Sequence, residues 1–358
     1  MHAPLRNPEF PAPVSDLRPA CDGPVTLALV QPRLIVRGLA IDPLGFEKRG
    51  SVKIRLAAYV LTAALALVCS LPCPAAAAPR HRATTVSGPT VSAAPGTLVR
   101  WSMPGTERCG MNRRSWPALH ETCYYPVDLL QKPGLIAITR SGNGHSESAR
   151  ISVEPFNYAT QEIDLGDIPQ ANPSPEDLKR AGREESLLAK VWTRKEGPAR
   201  FTLPLGAPAR PLPEGRDFGS KRIFNGKPAG QPHMGADYST SQGSHVRAAA
   251  EGTIVLAEDQ FYSGNAVYID HGGGLISMYF HLSEIKVKAG QEVKKGDTVG
   301  LVGTTGRSTG AHLFFGVRWH NARINPQFLL ENPDKIPAVG PGAPGATTAP
   351  HSKTSGMR

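Results

Sequence analysis

Residues 84–155 run as short β-prone stretches broken by turn residues. Leu135-Ile136-Ala137-Ile138-Thr139 and Ala149-Arg150-Ile151-Ser152-Val153 flank Ser141-Gly142-Asn143-Gly144, and two such runs around an Asn/Gly turn predict a hairpin. The segment reads as a small β-sandwich. Within 156–195, Pro173-Ser174-Pro175-Glu176-Asp177 offers an N-cap serine, a proline at the first helical position and acidic residues in the first turn. A connecting helix is expected from Pro175 to about Val191. The Pro- and Gly-rich Gly197 to Arg216 marks the next boundary.

Strands and tight turns resume within 217–332. Val267 to Asp270 and Leu275 to Leu282 surround His271-Gly272-Gly273-Gly274, a second hairpin. Strand alternation sends Ile276, Met278, Phe280 and Leu282 to one face and Ser277, Tyr279 and His281 to the other. The first face is expected in the core, with His281 pointing away from it. Lys286 to Lys288, Val293 and Thr298 to Val302 are further strand candidates. In His312 to Trp319, Leu313, Phe315, Val317 and Trp319 share a face opposite His312 and Phe314. The fold class is mainly β, a large antiparallel core preceded by the sandwich and the helix.

At the ends the pattern changes. Residues 52–78 carry Lys53 and Arg55, an apolar run from Leu56 to Leu71, then Pro72, Pro74 and Ala75 to Ala78, the three-part layout of a signal peptide. The run is shorter than the ~20 residues of a membrane span, so cleavage and export are expected, with only transient membrane contact. Synthesis is expected to start near Val52, leaving 1–51 outside the working protein. The Gly-, Pro- and Ala-rich 333–358 is expected to be a disordered tail.

The 358 residues include Gly 37, Pro 34 and 20% charged residues, too turn-rich for one helical bundle. The net charge of +10 favours anionic polymers, but the basic residues form no continuous block and nucleic acid is not indicated. Of five cysteines, Cys109 and Cys123 are the pair left in an exported chain, and a disulfide between them is expected.

The chemistry-bearing candidates are His233, Asp237, His281 and His312. Imidazole and carboxylate suit zinc, and catalytic zinc usually takes three protein ligands. A histidine taken singly is more often structural, so the surrounding motifs matter. Gly219-Ser220-Lys221-Arg222-Ile223-Phe224-Asn225-Gly226, His233-Met234-Gly235-Ala236-Asp237, Met278-Tyr279-Phe280-His281-Leu282 and Gly306-Arg307-Ser308-Thr309-Gly310-Ala311-His312-Leu313 together resemble the M23 peptidases, the lysostaphin-like peptidoglycan endopeptidases, from about Phe218 to Leu330.

The resemblance implies an M23-type, barrel-sandwich-like β core, zinc on His233 and Asp237, and His281 and His312 as catalytic histidines assisting hydrolysis of peptide bonds in peptidoglycan. The family's third zinc ligand falls on Phe314, which has no lone pair to give. His320 is about 20 Å along the strand from Phe314; His245 and His271 lie in loops that sequence alone does not place. Two readings follow: an exported zinc endopeptidase of periplasm or cell envelope, with a weakened or absent metal site, or a degenerate module that binds peptidoglycan or activates another cell-wall hydrolase. A structural envelope protein is a third class, without specific support.

Overall fold

A computed structural model describes residues 88–340. All described residues belong to one compact unit. The readings for 1–51 and 52–78 lie outside the described residues. No helix among the described residues is long and apolar enough to cross a membrane.

The first strands are β1 (Thr90–Ala93), β2 (Leu98–Ser102), β3 (Arg108–Met111), β4 (Arg114–Pro117), β5 (Thr122–Pro126), β6 (Gly134–Gly142) and β7 (His145–Val153). They form a five-stranded sheet, β1-β7-β6-β3-β4, and a β2-β5 ribbon. Asn143 and Gly144 both have positive φ, the geometry of the tight turn joining β6 to β7. Cys109 and Cys123 are disulfide-bonded inside a cluster with Trp101, Trp116 and Tyr125.

Next come β8 (Thr160–Ile163) and α1 (Pro175–Trp192). Ser174 Oγ accepts from the Asp177 amide while the Asp177 carboxylate accepts from the Ser174 amide, so each satisfies an orphan donor at the helix start. β9 (Lys221–Phe224) and β10 (Lys227–Pro228) complete a three-stranded sheet, β10-β9-β8.

The large sheet comprises β11 (Gly235–Tyr238), β12 (His245–Arg247), β13 (Gly252–Gln260), β14 (Gly264–Asp270), β15 (Leu275–Ile285), β16 (Glu292–Val293), β17 (Thr298–Val302), β18 (Leu313–Trp319) and β19 (Ala322–Ile324). Its main path is β11-β18-β15-β14-β13-β16, with β12 and β19 on β17 and β18. A short α2 (Gln327–Leu330) follows.

Three expectations need correction. β15 buries both faces, and the main core takes Leu275, Tyr279 and Leu282, whereas Met278 and Phe280 join Phe314 in a second apolar cluster. A strand flanked by neighbours and covered on both sides carries apolar residues on each face, so alternation could not identify the core. Lys286 to Lys288 lie beyond the end of β15. Residues 333–340 are not a free tail: Ile336 and Val339 are buried, and the Arg100 amide and carbonyl bond to Pro337 O and Val339 N at 2.8 and 2.9 Å. Two apolar anchors and paired backbone offset the ordering cost there; 341–358 lie outside the described residues. Nor is the N-terminal region insulated, since Leu98 and Tyr124 enter the main core and Tyr124 stacks on Trp319 with centroids 5.3 Å apart.

Candidate active site

Backbone pairing brings the candidates together. In β11 and β18, Asp237 stands opposite Phe314; in β15 and β18, Phe280 does. β11 and the residues just before it are clamped by segment 216–220: Arg216 and Asp237 exchange both backbone hydrogen bonds at 3.0 Å, and Gly219 and Ser220 bond to the His233 backbone. His312 sits just before β18, bridged to Gly303.

His281 arrives by a break in alternation. Between the pairs Val267↔Tyr279 and Asn265↔Leu282, β15 spends one residue more than β14, a bulge, and His281 has φ +63°. The left-handed residue turns the chain so that Leu282 enters the core while the His281 ring lies 4.9 Å from that of His312.

Each imidazole has its Nδ1 committed to a backbone carbonyl: His233 to Asp217 O at 3.0 Å, His281 to Thr305 O at 2.9 Å, His312 to Gly310 O at 2.8 Å. With the proton assigned to Nδ1 by these bonds, each Nε2 presents a lone pair. His233 Nε2 lies 3.2 Å from Asp237 Oδ1 and His312 Nε2 lies 3.6 Å from the same oxygen. His233 Nε2 and Asp237 Oδ1 are both buried without a hydrogen-bond partner. Two acceptor lone pairs facing each other in a buried place repel unless a cation, a proton or a metal, lies between them. His233 and Asp237 are thus a pair of donors of the types that take imidazole- and carboxylate-binding metals, while among the described residues no group of three or more His, Cys, Asp or Glu side chains is set to hold a metal ion.

The other Asp237 oxygen, Oδ2, accepts from Arg222 Nη2 at 2.6 Å, and Gln161 Oε1 on β8 accepts from Arg222 Nε at 3.3 Å and from Ser220 Oγ at 2.9 Å. Burial alone would push Asp237 up, but His233, Arg222 and His312 together outweigh it and hold the carboxyl well below the usual carboxylate range. Burial, with His312 adding to it, pushes His281 down to about 4. Arg222 belongs to the motif at 219–226 but carried no assigned role, and nothing local in the sequence marked Gln161.

Phe314 occupies the floor. Rings follow one another from Trp192 on α1 through Tyr268, Phe280 and Phe314 to His233, with centroids 5.9, 5.3, 4.5 and 5.1 Å apart. The three histidines weighed as substitutes for a ligand are elsewhere: His245 is exposed beside Thr298, His271 is buried between Glu251 O and Ser277, and His320 pairs with Glu196 at 3.1 Å. Arg307 lies over both Phe224 and Tyr262, at 4.2 and 4.7 Å, tying the end of β9 to two loops beside the site.

Residues 231–326 match the model of Peptidase family M23. The peptidoglycan DD-endopeptidase ShyA of Vibrio cholerae is 43% identical over 84 residues, which are 24% of this chain and 20% of that protein. The DD-carboxypeptidase/endopeptidase Mpg of Neisseria meningitidis is 43% identical over 94 residues, 26% of this chain and 22% of that protein. The matched region thus spans about a fifth of the length of these curated relatives. The crystal structure of a putative peptidase M23 from Pseudomonas aeruginosa superposes with a TM-score of 0.50 at 27% identity, covering 66% of this chain and 94% of that one. Residues 231–326, which hold His233, Asp237, His281, His312 and Phe314, are therefore a domain of Peptidase family M23.

Proposed function

We propose that this chain is an exported zinc endopeptidase that hydrolyses peptide cross-links of bacterial peptidoglycan. The observation that carries the reading is the pair of buried, partnerless atoms His233 Nε2 and Asp237 Oδ1, 3.2 Å apart and beside two more imidazoles. The kinship of the domain with DD-endopeptidases supplies the substrate class.

His233 and Asp237 would hold the metal. Zinc there would supply Lewis-acid polarisation of the scissile carbonyl and a nucleophilic water available near neutral pH. The protein's own part is positional: Arg222 fixes Asp237, the Asp217 carbonyl fixes the His233 tautomer, and Thr305 and Gly310 do the same for His281 and His312. A lone pair at Nε2 can take a proton from the attacking water, and as imidazolium return it to the leaving amine.

The test is zinc content after purification in zinc-containing buffer, together with release of muropeptides from purified sacculi. Stoichiometric zinc and release abolished by chelator support the reading. Absence of both sinks it in favour of a second one, a module that binds peptidoglycan or activates another hydrolase. Phe314 favours that alternative, because its ring stands where a coordinating nitrogen is expected and packs at 4.5 Å on Phe280.

A further inference from the structure

We propose that Arg307 is a carboxylate-binding subsite beside the imidazoles and holds a free carboxylate of the peptidoglycan stem peptide. The inference rests on the reading that this site takes peptidoglycan peptides, and it requires no metal.

Two elements fix Arg307 in the rim of the site. In its own loop, the Thr305 carbonyl accepts from His281 Nδ1 at 2.9 Å and the Ser308 hydroxyl lies 3.4 Å from His312 Nδ1. Arg307 stands between those two residues, with its amide donating to Tyr262 O at 2.8 Å. Gly306 permits the close approach, since a Cβ there would lie 2.3 Å from Gly264 N. From the other side, Arg222 and Phe224 alternate onto one face of β9. Arg222 reaches Asp237 at 2.6 Å, and the Phe224 ring carries the Arg307 guanidinium at 4.2 Å. The loop that orients two imidazoles and the strand that orients the carboxylate therefore meet at this cation.

What Arg307 lacks is a counter-ion. Three arginines lie over aromatic rings among the described residues. Arg140 spends its donors on Glu147 at 2.7 Å and Ser102 O at 3.1 Å, and Arg318 donates to Asn321 at 3.0 Å. Arg307 has only the two rings: among the described residues its guanidinium has no carboxylate partner and donates no hydrogen bond. Burial lowers its pKa, with Tyr262 opposing and Arg222, a like charge already paired with Asp237, assisting. An arginine does not give up its proton in a protein, so a half-buried charge stands uncompensated, a cost that an incoming anion removes. Its nitrogens are also within reach, because the buried unpartnered nitrogens and oxygens among the described residues belong to Arg150, His233, Asp237, Tyr238 and His320. A planar guanidinium matches a carboxylate through two parallel N–H···O bonds. Stem peptides offer that group at the C-terminus and at lateral carboxyls.

The experiment is calorimetric binding to the full chain in the presence of chelator, so that neither a metal bond nor hydrolysis contributes. The probes are a synthetic stem tetrapeptide with free carboxylates, the same peptide amidated at its C-terminus, and the same peptide amidated at its lateral carboxyls. The parent is expected to prefer the free peptide over one amidated form by roughly tenfold, and the form that loses affinity identifies which carboxylate is held. R307M and R307Q are each expected to abolish that preference while binding the disfavoured amide as the parent does, a pattern that general damage to the fold does not produce. Equal binding of all three peptides by the parent, or the parent's preference retained in either folded variant, would overturn the inference and leave the peptidoglycan reading standing. A parent that binds none of the three overturns it as well, and co-sedimentation with purified sacculi then decides whether the peptidoglycan reading falls with it.

Discussion

The Phe314 ring lies flat on Phe280, centroids 4.5 Å apart and planes within 3° of parallel, while it meets the His233 imidazole edgewise at 5.1 Å. The two phenylalanines are cross-strand partners of β15 and β18. Gly235 makes the room, since a Cβ there would lie 2.4 Å from the Phe314 ring. Phe314, at the position where the family resemblance implies a metal ligand, is thus a packed member of an apolar cluster, and the two roles should separate on substitution. F314H is expected to raise zinc affinity at least tenfold by adding a ligand and to lower metal-free stability by about 1 kcal/mol through loss of the aromatic pair. Zinc titration and unfolding in chelator read the two effects, and a variant that binds no more zinc than the parent would show that Phe314 is not at the ligand position.

Arg222 reaches Asp237 from outside the segment that matches the family model, and Gln161 reaches Arg222 from the connector. R222M would leave Asp237 Oδ2 buried without its donor. Zinc affinity is expected to fall roughly 10- to 100-fold, with Q161A acting in the same direction to a smaller extent. An unchanged dissociation constant for R222M would remove Arg222 from the site.

His271 gives a pH dependence separate from the site. It is fully buried, bonded at 2.7 Å to both Glu251 O and Ser277 Oγ, and Ser277 continues to the Tyr279 hydroxyl at 3.0 Å. Burial lowers it from 6.5 to about 4, the Glu251 carbonyl and Asp270 opposing and Arg200 assisting. Above 6.5 the imidazole is neutral in both states and has no effect. As pH falls from 6.5 to 4 the unfolded chain takes the proton first, so folded stability drops, levelling off below 4 after a loss of about 3 kcal/mol. H271N, measured by urea unfolding at several pH values, is expected to be less stable than the parent at pH 7 and to close that gap toward pH 4. A gap constant with pH would contradict the assignment.

The Cys109–Cys123 bond closes a loop with a sequence separation of 14 inside the N-terminal core. Replacing both by serine is expected to cost about 3 kcal/mol while leaving zinc affinity unchanged. A coupled loss of metal binding would mean that this region shapes the site as well as the fold.

Local features were legible where one stretch of chain contains its own cause. The turn at Asn143-Gly144 and the capping box of Ser174 and Asp177 depend on residues within three or four positions of one another, and the helix ends one residue beyond the expected Val191. The faces of β18 were also legible, because only one of them, Leu313, Phe315, Val317 and Trp319, belongs to the main core. β15 defeated the same rule, being apolar on both faces and shifted by a bulge at a non-glycine residue with positive φ, an uncommon backbone conformation.

The sequence by itself determined the chemical inventory: which imidazoles and which carboxylate could meet a metal, and that a phenylalanine stands at the position where another nitrogen is expected. Only the tertiary structure decided how those groups are shared out, because hydrogen-bond direction and distance depend on partners far along the chain. Asp217, Thr305 and Gly310 carbonyls set the tautomers, Gln161 and Arg222 hold the carboxylate from another sheet, and one left-handed residue turns His281 toward His312. No local pattern of residues encodes that arrangement.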